Sequence, residues 1–158
     1  MESPLHGPEE ADRLDASARS DDARIKHLER VPLFSGLSDD QLGRVAGISK
    51  IVEARAETVL TRMGEPGDSF FVLIDGRASV QTQVGVGDPL KPGDFFGEMS
   101  LLDGGPRSAT VVTETAARLL VITRRDFAHL LAEAPELNRA VLAVLCRRVR
   151  QAEQALNA

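Results

Sequence analysis

Between residues 50 and 123 the hydrophobic positions recur with a period near two, while on both sides of that block they recur at helical spacing. The strand-like runs are IVEAR (51–55), TVLT (58–61), FFVLI (70–74), RASVQTQ (77–83), ATVVTET (109–115) and ARLLVIT (117–123). Turn chemistry separates them. GEPGD (64–68) reads as one turn, Asp75-Gly76 as the turn of a two-strand hairpin, and Pro92-Gly93 has the order of a type II turn. Many short strands at regular spacing point to a sandwich or barrel rather than a parallel sheet.

Ahead of the block, Ile25, Leu28, Val31 and Leu33 surround a short helix stopped by Pro32. Ser38 then suits an N-cap, followed by Asp39 and Asp40 and by Leu42, Val45 and Ala46 on one face. After the block, Thr123 suits a second N-cap, Pro135 breaks the helix RRDFAHLLAEA, and a last helix runs to the end. That helix carries Leu137, Val141 and Val144 on one side and Leu142, Cys146 and Val149 on another, so it should touch two surfaces. The second stripe suits a homodimer. The layout expected is a flexible acidic tail (1–20), N-terminal helices (21–49), a β-roll (50–123) and C-terminal helices (124–158): mainly β with flanking helices.

Composition narrows the function classes. The 158 residues are 42% hydrophobic, enough for one domain with a real core. Residues 1–24 hold seven acids and three bases, so most of the formal charge of −5 sits there and the body is nearly neutral. With no basic stripe, and six Phe but no Tyr or Trp, direct nucleic-acid binding is not expected. The single Cys146 rules out an internal disulfide and, within a helical apolar pattern, reads as a buried structural thiol. His6, His27 and His129 lack metal-ligand spacing, and no metal is expected. Neither a basic, apolar leader nor an apolar run of about 20 residues is present, which reads as a cytoplasmic chain with no membrane partner. No nucleophile–base motif appears, GVGDPLKPG does not complete a dinucleotide fingerprint, and no enzyme is expected.

One stretch stands out: FFGEMSLLDGGPRSAT, residues 95–110. It reads as a strand end, a glycine and a single helical turn, whose unpaired N–H groups suit an anion. Gly97 allows an unusual backbone angle and close approach to the main chain. Arg107 adds a forked, permanently charged donor suited to phosphate oxygens, Ser108 a hydroxyl and N–H, and Ala109 a small wall. Glu98 would repel a phosphate, but it can accept from a sugar hydroxyl. A ligand with a hydroxyl at one edge and an anion at the other fits, as in a ribose cyclic phosphate. A simple surface ion pair between Glu98 and Arg107 would leave the glycines unexplained. Met99, Leu101 and Leu102 read as core-facing anchors of the turn.

The ordered set Phe96, Gly97, Glu98, Met99, Ser100, Leu101, Leu102, then Pro106, Arg107, Ser108 and Ala109, resembles the phosphate-binding cassette of the cyclic nucleotide-binding domain family. VPLFSGLSDDQL, GEPGDSFFVLIDGRASV and LKPGDFFGE extend the resemblance over about residues 25–155. It implies an eight-stranded β-jelly-roll with N-terminal helices and C-terminal hinge and lid helices. It also implies that Glu98 holds the ribose 2′-hydroxyl and Arg107 the cyclic phosphate, with the backbone of Gly97, Met99, Ser100 and Ala109 completing the cradle and Ser108 near the phosphate or base. The link VQTQVGVGDP is shorter than is usual in the family, so the middle hairpin must be compact, with Val84 or Val86 as candidate walls for the base. Arg147, Arg148 and Arg150 read as a solvated face, with Arg148 the candidate lid residue over the purine.

The function implied is a cyclic nucleotide sensor, cyclic AMP before cyclic GMP, that repositions its C-terminal helices and acts on a protein effector the sequence does not name. Two alternatives stand beside it. A β-roll that binds no nucleotide could serve only as an interaction or dimerisation module. A truncated transcription regulator would need at least about 50 further residues beyond Ala158 for a DNA-binding domain.

Overall fold

The computed structural model describes residues 21–157; the expected acidic tail, with His6, lies outside the described residues. Helix α1 (Asp21–Glu29), a 3-10 turn (Pro32–Phe34) and α2 (Asp39–Ile48) lead into the roll. Its strands are β1 (Lys50–Ala54), β2 (Val59–Thr61), β3 (Ser69–Asp75), β4 (Ala78–Thr82), β5 (Gly85–Val86), β6 (Phe95–Phe96), β7 (Thr110–Thr113) and β8 (Ala117–Thr123). Helix α3 (Glu98–Asp103) interrupts them after β6, and α4 (Arg124–Glu133) and α5 (Pro135–Asn157) follow. Two four-stranded sheets result, ordered β1-β8-β3-β6 and β2-β7-β4-β5, with antiparallel pairing throughout.

The helix boundaries follow local chemistry. Ser38 and Gln41 form a reciprocal capping box, the Gln41 N–H donating to Ser38 Oγ at 3.2 Å and the Ser38 N–H to Gln41 Oε1 at 2.9 Å. Thr123 Oγ1 accepts from the Asp126 N–H and caps α4, and Pro135 opens α5 after Ala134. In the Pro92-Gly93 turn the Asp94 N–H donates to the Lys91 carbonyl, with Gly93 at φ 97°.

FFVLI (70–74) and LLVI (119–122) are unbroken apolar runs because the first sheet is buried on both faces. On β3, Phe70, Val72 and Ile74 join the core formed with the helices, where Phe70 stacks on Phe127 at 4.4 Å between ring centroids. Phe71 and Leu73, pointing the other way, join a second core between the sheets with Leu60, Ala78, Val111 and Leu119. Strand β8 divides likewise, with Leu120 and Ile122 on the helix side and Leu119 on the inter-sheet side.

Three expectations change. Asp75-Gly76 makes a turn but no hairpin: β3 and β4 belong to different sheets, and the turn carries the chain from one to the other. Gly76, at φ 100°, lies so close to the β7–β8 link that a Cβ there would sit 2.5 Å from the Ala116 carbonyl oxygen. The two inter-sheet crossings are tied together, the Glu114 N–H donating to the Arg77 carbonyl at 2.8 Å. The compact hairpin is β4–β5, whose register pairs Gln81 with Val86 and Thr82 with Gly85.

Cys146, expected to be buried, is exposed. Leu137 and Val141 fix the inward side of α5, and Cys146 falls about 140° round the helix from Val141. Leu142 and Val149 of the same stripe are exposed too, so within one chain the helix covers one surface with its apolar side, not two.

Candidate functional site

A cavity of about 660 Å³ opens between the second sheet, α3, the segment 107–109 and the face of α5 that carries Val144 and Arg148. Gly97, Glu98, Met99, Ser100, Arg107, Ser108 and Ala109 all line it, and so does Arg148. The sheet contributes Thr61, Val80 and Val111.

The approach to the cavity is set by β6. Phe96 pairs with Phe71 in register and stacks on its ring at 4.8 Å, which aims the chain at Gly97. Gly97 has φ 90°, and a Cβ there would lie 2.9 Å from both Arg107 Nη1 and the Ser69 carbonyl oxygen. Glycine therefore meets both a conformational and a steric requirement. In the six-residue α3, Glu98 and Leu101 share the inward side, three positions apart, and Leu101 packs on the helix-side core. Met99 and Leu102 take the outward side and are about half exposed, so the expectation that they anchor the core does not hold.

Arg107 is 8% exposed. Its Nη1 donates to the Gly97 carbonyl at 3.1 Å and its Nη2 to the Ser69 carbonyl at 3.0 Å, with Cζ 5.6 Å from the Phe71 ring centroid. Among the described residues these hydrogen bonds run to carbonyls and to no carboxylate, so no contact anion neutralises the guanidinium. Burial holds its pKa below the ordinary arginine value; nearby Asp68 and Glu98 oppose that shift and Arg124 adds to it. Ser108 Oγ contacts Met99 Sδ at 3.6 Å, a weak interaction that leaves the hydroxyl available.

Glu98 is 2% exposed and does not pair with Arg107. Its Oε2 accepts from Arg148 Nη1 at 2.8 Å, while Arg148 Nη2 donates to the Phe95 carbonyl at 2.7 Å. The Arg148 Cζ lies 4.9 Å from the Phe95 ring centroid. Arg148 is thus turned inward, against the expectation of a solvated face. Glu98 Oε1 is buried and has no hydrogen-bond partner among the described residues. An unmet buried acceptor costs about 1–3 kcal/mol, and more when charged, which fits a carboxylate built to receive a donor.

Two features escaped the sequence reading. Val84 and Val86 are 96% and 75% exposed and stand outside the cavity; Val80 and Thr82 on β4 line it instead. The alternation along β4 contains that signal, since positions 80 and 82 share a face. On α5 the residues Val144, Arg147, Arg148, Gln151 and Ala152 line the cavity together, at the spacing of one helix face. Among the described residues no group of three or more His, Cys, Asp or Glu could hold a metal, and no helix is long and apolar enough to cross a membrane.

The chain and its fold have clear relatives. The cyclic nucleotide-binding domain model matches residues 51–134, and the chain belongs to that family. It is 41% identical over 107 residues to the cyclic nucleotide-gated potassium channel mll3241 of Mesorhizobium japonicum, covering 68% of this chain and 30% of the channel. Among solved structures it resembles the catabolite activator protein of Thermus thermophilus, with TM-score 0.73 and 30% identity over 80% of this chain and 62% of that one. It also resembles cAMP-bound PfPKA-R, with TM-score 0.76 and 28% identity over 90% of this chain and 48% of that one. The chain spans about three tenths of the length of the first curated relatives it matches.

Proposed function

We propose that this domain is a cyclic AMP receptor in which the ligand and helix α5 meet at one carboxylate. The observation that carries the reading is the division of Glu98: Oε2 is held by Arg148, while the buried Oε1 has no partner among the described residues. A ribose 2′-hydroxyl donating to Oε1 would complete that group. Arg107, charged and bonded to carbonyls, would receive the cyclic phosphate, with the backbone of Gly97, Met99, Ser100 and Ala109 around it. The ligand carries a donor and an anion, and the site offers a matching acceptor and cation.

The same geometry suggests how binding is signalled. A ligand that organises Glu98 favours the arrangement in which Arg148 is docked, and a docked α5 favours the ligand in return. The C-terminal helices thereby move between docked and undocked positions, and an effector reads the difference. The exposed stripe Leu142, Cys146 and Val149 offers a surface for a second copy of the chain, and a doubled mass by light scattering tests that part. In this reading the site binds and releases without turnover, and its compartment is the cytoplasm. Cyclic AMP is preferred over cyclic GMP because PfPKA-R, a relative covering most of this chain, was solved with cAMP bound. Calorimetric titration of both nucleotides against the wild type and Glu98→Ala tests the assignment. Saturable binding, tighter for cyclic AMP and weakened in the variant, supports it; no binding of either nucleotide by the wild type rejects it.

A further inference from the structure

The segment 64–68 wraps Arg107 from a side the cassette does not supply. The Arg107 N–H donates to the Glu65 carbonyl at 2.8 Å, and the Gly64 N–H donates to the Arg107 carbonyl at 2.9 Å. Gly67 lies flush against the guanidinium, where a Cβ would come within 2.2 Å of Arg107 Nε and 2.4 Å of Cζ. The Phe71 ring lies 5.6 Å from the same Cζ. The position of Gly67 therefore limits where the guanidinium can rest.

Gly67 is itself held from outside the roll. Arg124, the first residue of α4, donates from Nη2 to the Gly67 carbonyl at 2.7 Å, and its backbone N–H donates to the Asp68 carbonyl at 2.8 Å. One residue thus grips two consecutive carbonyls of the segment that backs Arg107. The guanidinium bond is charge-assisted and stronger than a neutral one. Arg124 is not among the residues that line the cavity.

We infer that Arg124 is a positioning residue for the anion subsite: it fixes Gly67, Gly67 fixes the plane of Arg107, and the start of α4 is thereby joined to the place where a phosphate binds. This rests on the cyclic nucleotide reading for its ligand but not for its geometry. A fixed guanidinium presents its free N–H edge ready-made, so that less ordering is left to the moment of binding. The junction also makes α4 responsive to the subsite by a route separate from the Arg148–Glu98 contact.

The test combines a ligand-free readout with a binding readout. In the free protein, the Nε–Hε resonance of Arg107, assigned from an Arg107→Lys spectrum, should shift in Arg124→Ala while the fold, followed by thermal melting, is retained. Cyclic AMP affinity should fall about tenfold in Arg124→Ala. It should be partly restored in Arg124→Lys, which keeps a charged donor. In an Arg107→Lys background the same Arg124→Ala change should cost less than about twofold, since its effect passes through the guanidinium. An unmoved Arg107 resonance overturns the inference, and so does an equal loss in both backgrounds. A wild type that binds no nucleotide rejects the ligand assignment, while a shifted resonance in that same protein would uphold the positioning.

Discussion

Two of the arginines that line this cavity, Arg107 and Arg148, are held in opposite ways. Arg107 belongs to the roll: its guanidinium is gripped by backbone carbonyls of Gly97 and Ser69 and walled by Gly67 and Phe71. Arg148 belongs to a helix that lies over the roll; its side chain is 39% exposed, and it is held by the Glu98 carboxylate and one carbonyl. Carbonyl partners orient a cation without neutralising it, whereas a carboxylate does both. In the proposed reading the first end is therefore a fixed receiver for an anion. In the same reading the second is a latch, because one partly exposed side chain and two hydrogen bonds join the helix to the roll.

The difference can be sharpened or broken by substitution. Arg107→Ala removes the receiver and should lower cyclic AMP affinity at least about 100-fold in calorimetric titration. An unchanged affinity would remove Arg107 from the site. Gly97→Ala distorts the receiver without deleting it. With φ 90° and a 2.9 Å clash on Arg107 Nη1, it should weaken binding more than about tenfold and lower stability by about 1–3 kcal/mol in denaturant unfolding. Arg148→Ala opens the latch. Affinity should fall only about fivefold, while amide exchange in the C-terminal half of α5 accelerates clearly. Equal losses of affinity for Arg148→Ala and Arg107→Ala would erase the distinction between receiver and latch.

The smallest effect lies away from both ends. Burial, then the charges of Arg118 and Arg30, lowers the pKa of His27 on α1, with Asp75 opposing. A histidine with a lowered folded pKa favours the neutral state. Its contribution is therefore full above the ordinary value near 6.5 and is lost as pH falls through the folded value. Thermal melting should show a slightly lower midpoint at acid pH than at neutral pH, and a smaller drop in His27→Gln, with neither arginine contact involved.

What could be read from the chain divides along the same line. Residues 95–109 bring Gly97, Glu98 and Arg107 together within one short stretch, so local spacing carried the cassette into view. The Arg148–Glu98 contact joins positions 50 apart, and Arg124–Gly67 positions 57 apart; neither leaves a local pattern. Val84 and Val86 were plausible walls by hydrophobicity alone, yet β4 presents Val80 and Thr82 to the cavity because the tight β4–β5 turn takes Val84 to its tip. Asp75-Gly76 shows the same limit. Its turn chemistry was plain, but the strand that β3 pairs with is chosen by packing.

The order of helices and strands, the caps at Ser38 and Thr123, the break at Pro135 and the composition of the cassette are properties of neighbouring residues. Backbone preference and hydrophobic period, which act over a few positions, are enough to specify them. Which sheet each strand joins, which face of α5 is buried, why Cys146 stays outside and how Glu98 is shared between Arg148 and the cavity depend on surfaces that meet only after the chain has folded. Those surfaces are selected by shape and desolvation across dozens of residues, a constraint that no stretch of local sequence carries by itself.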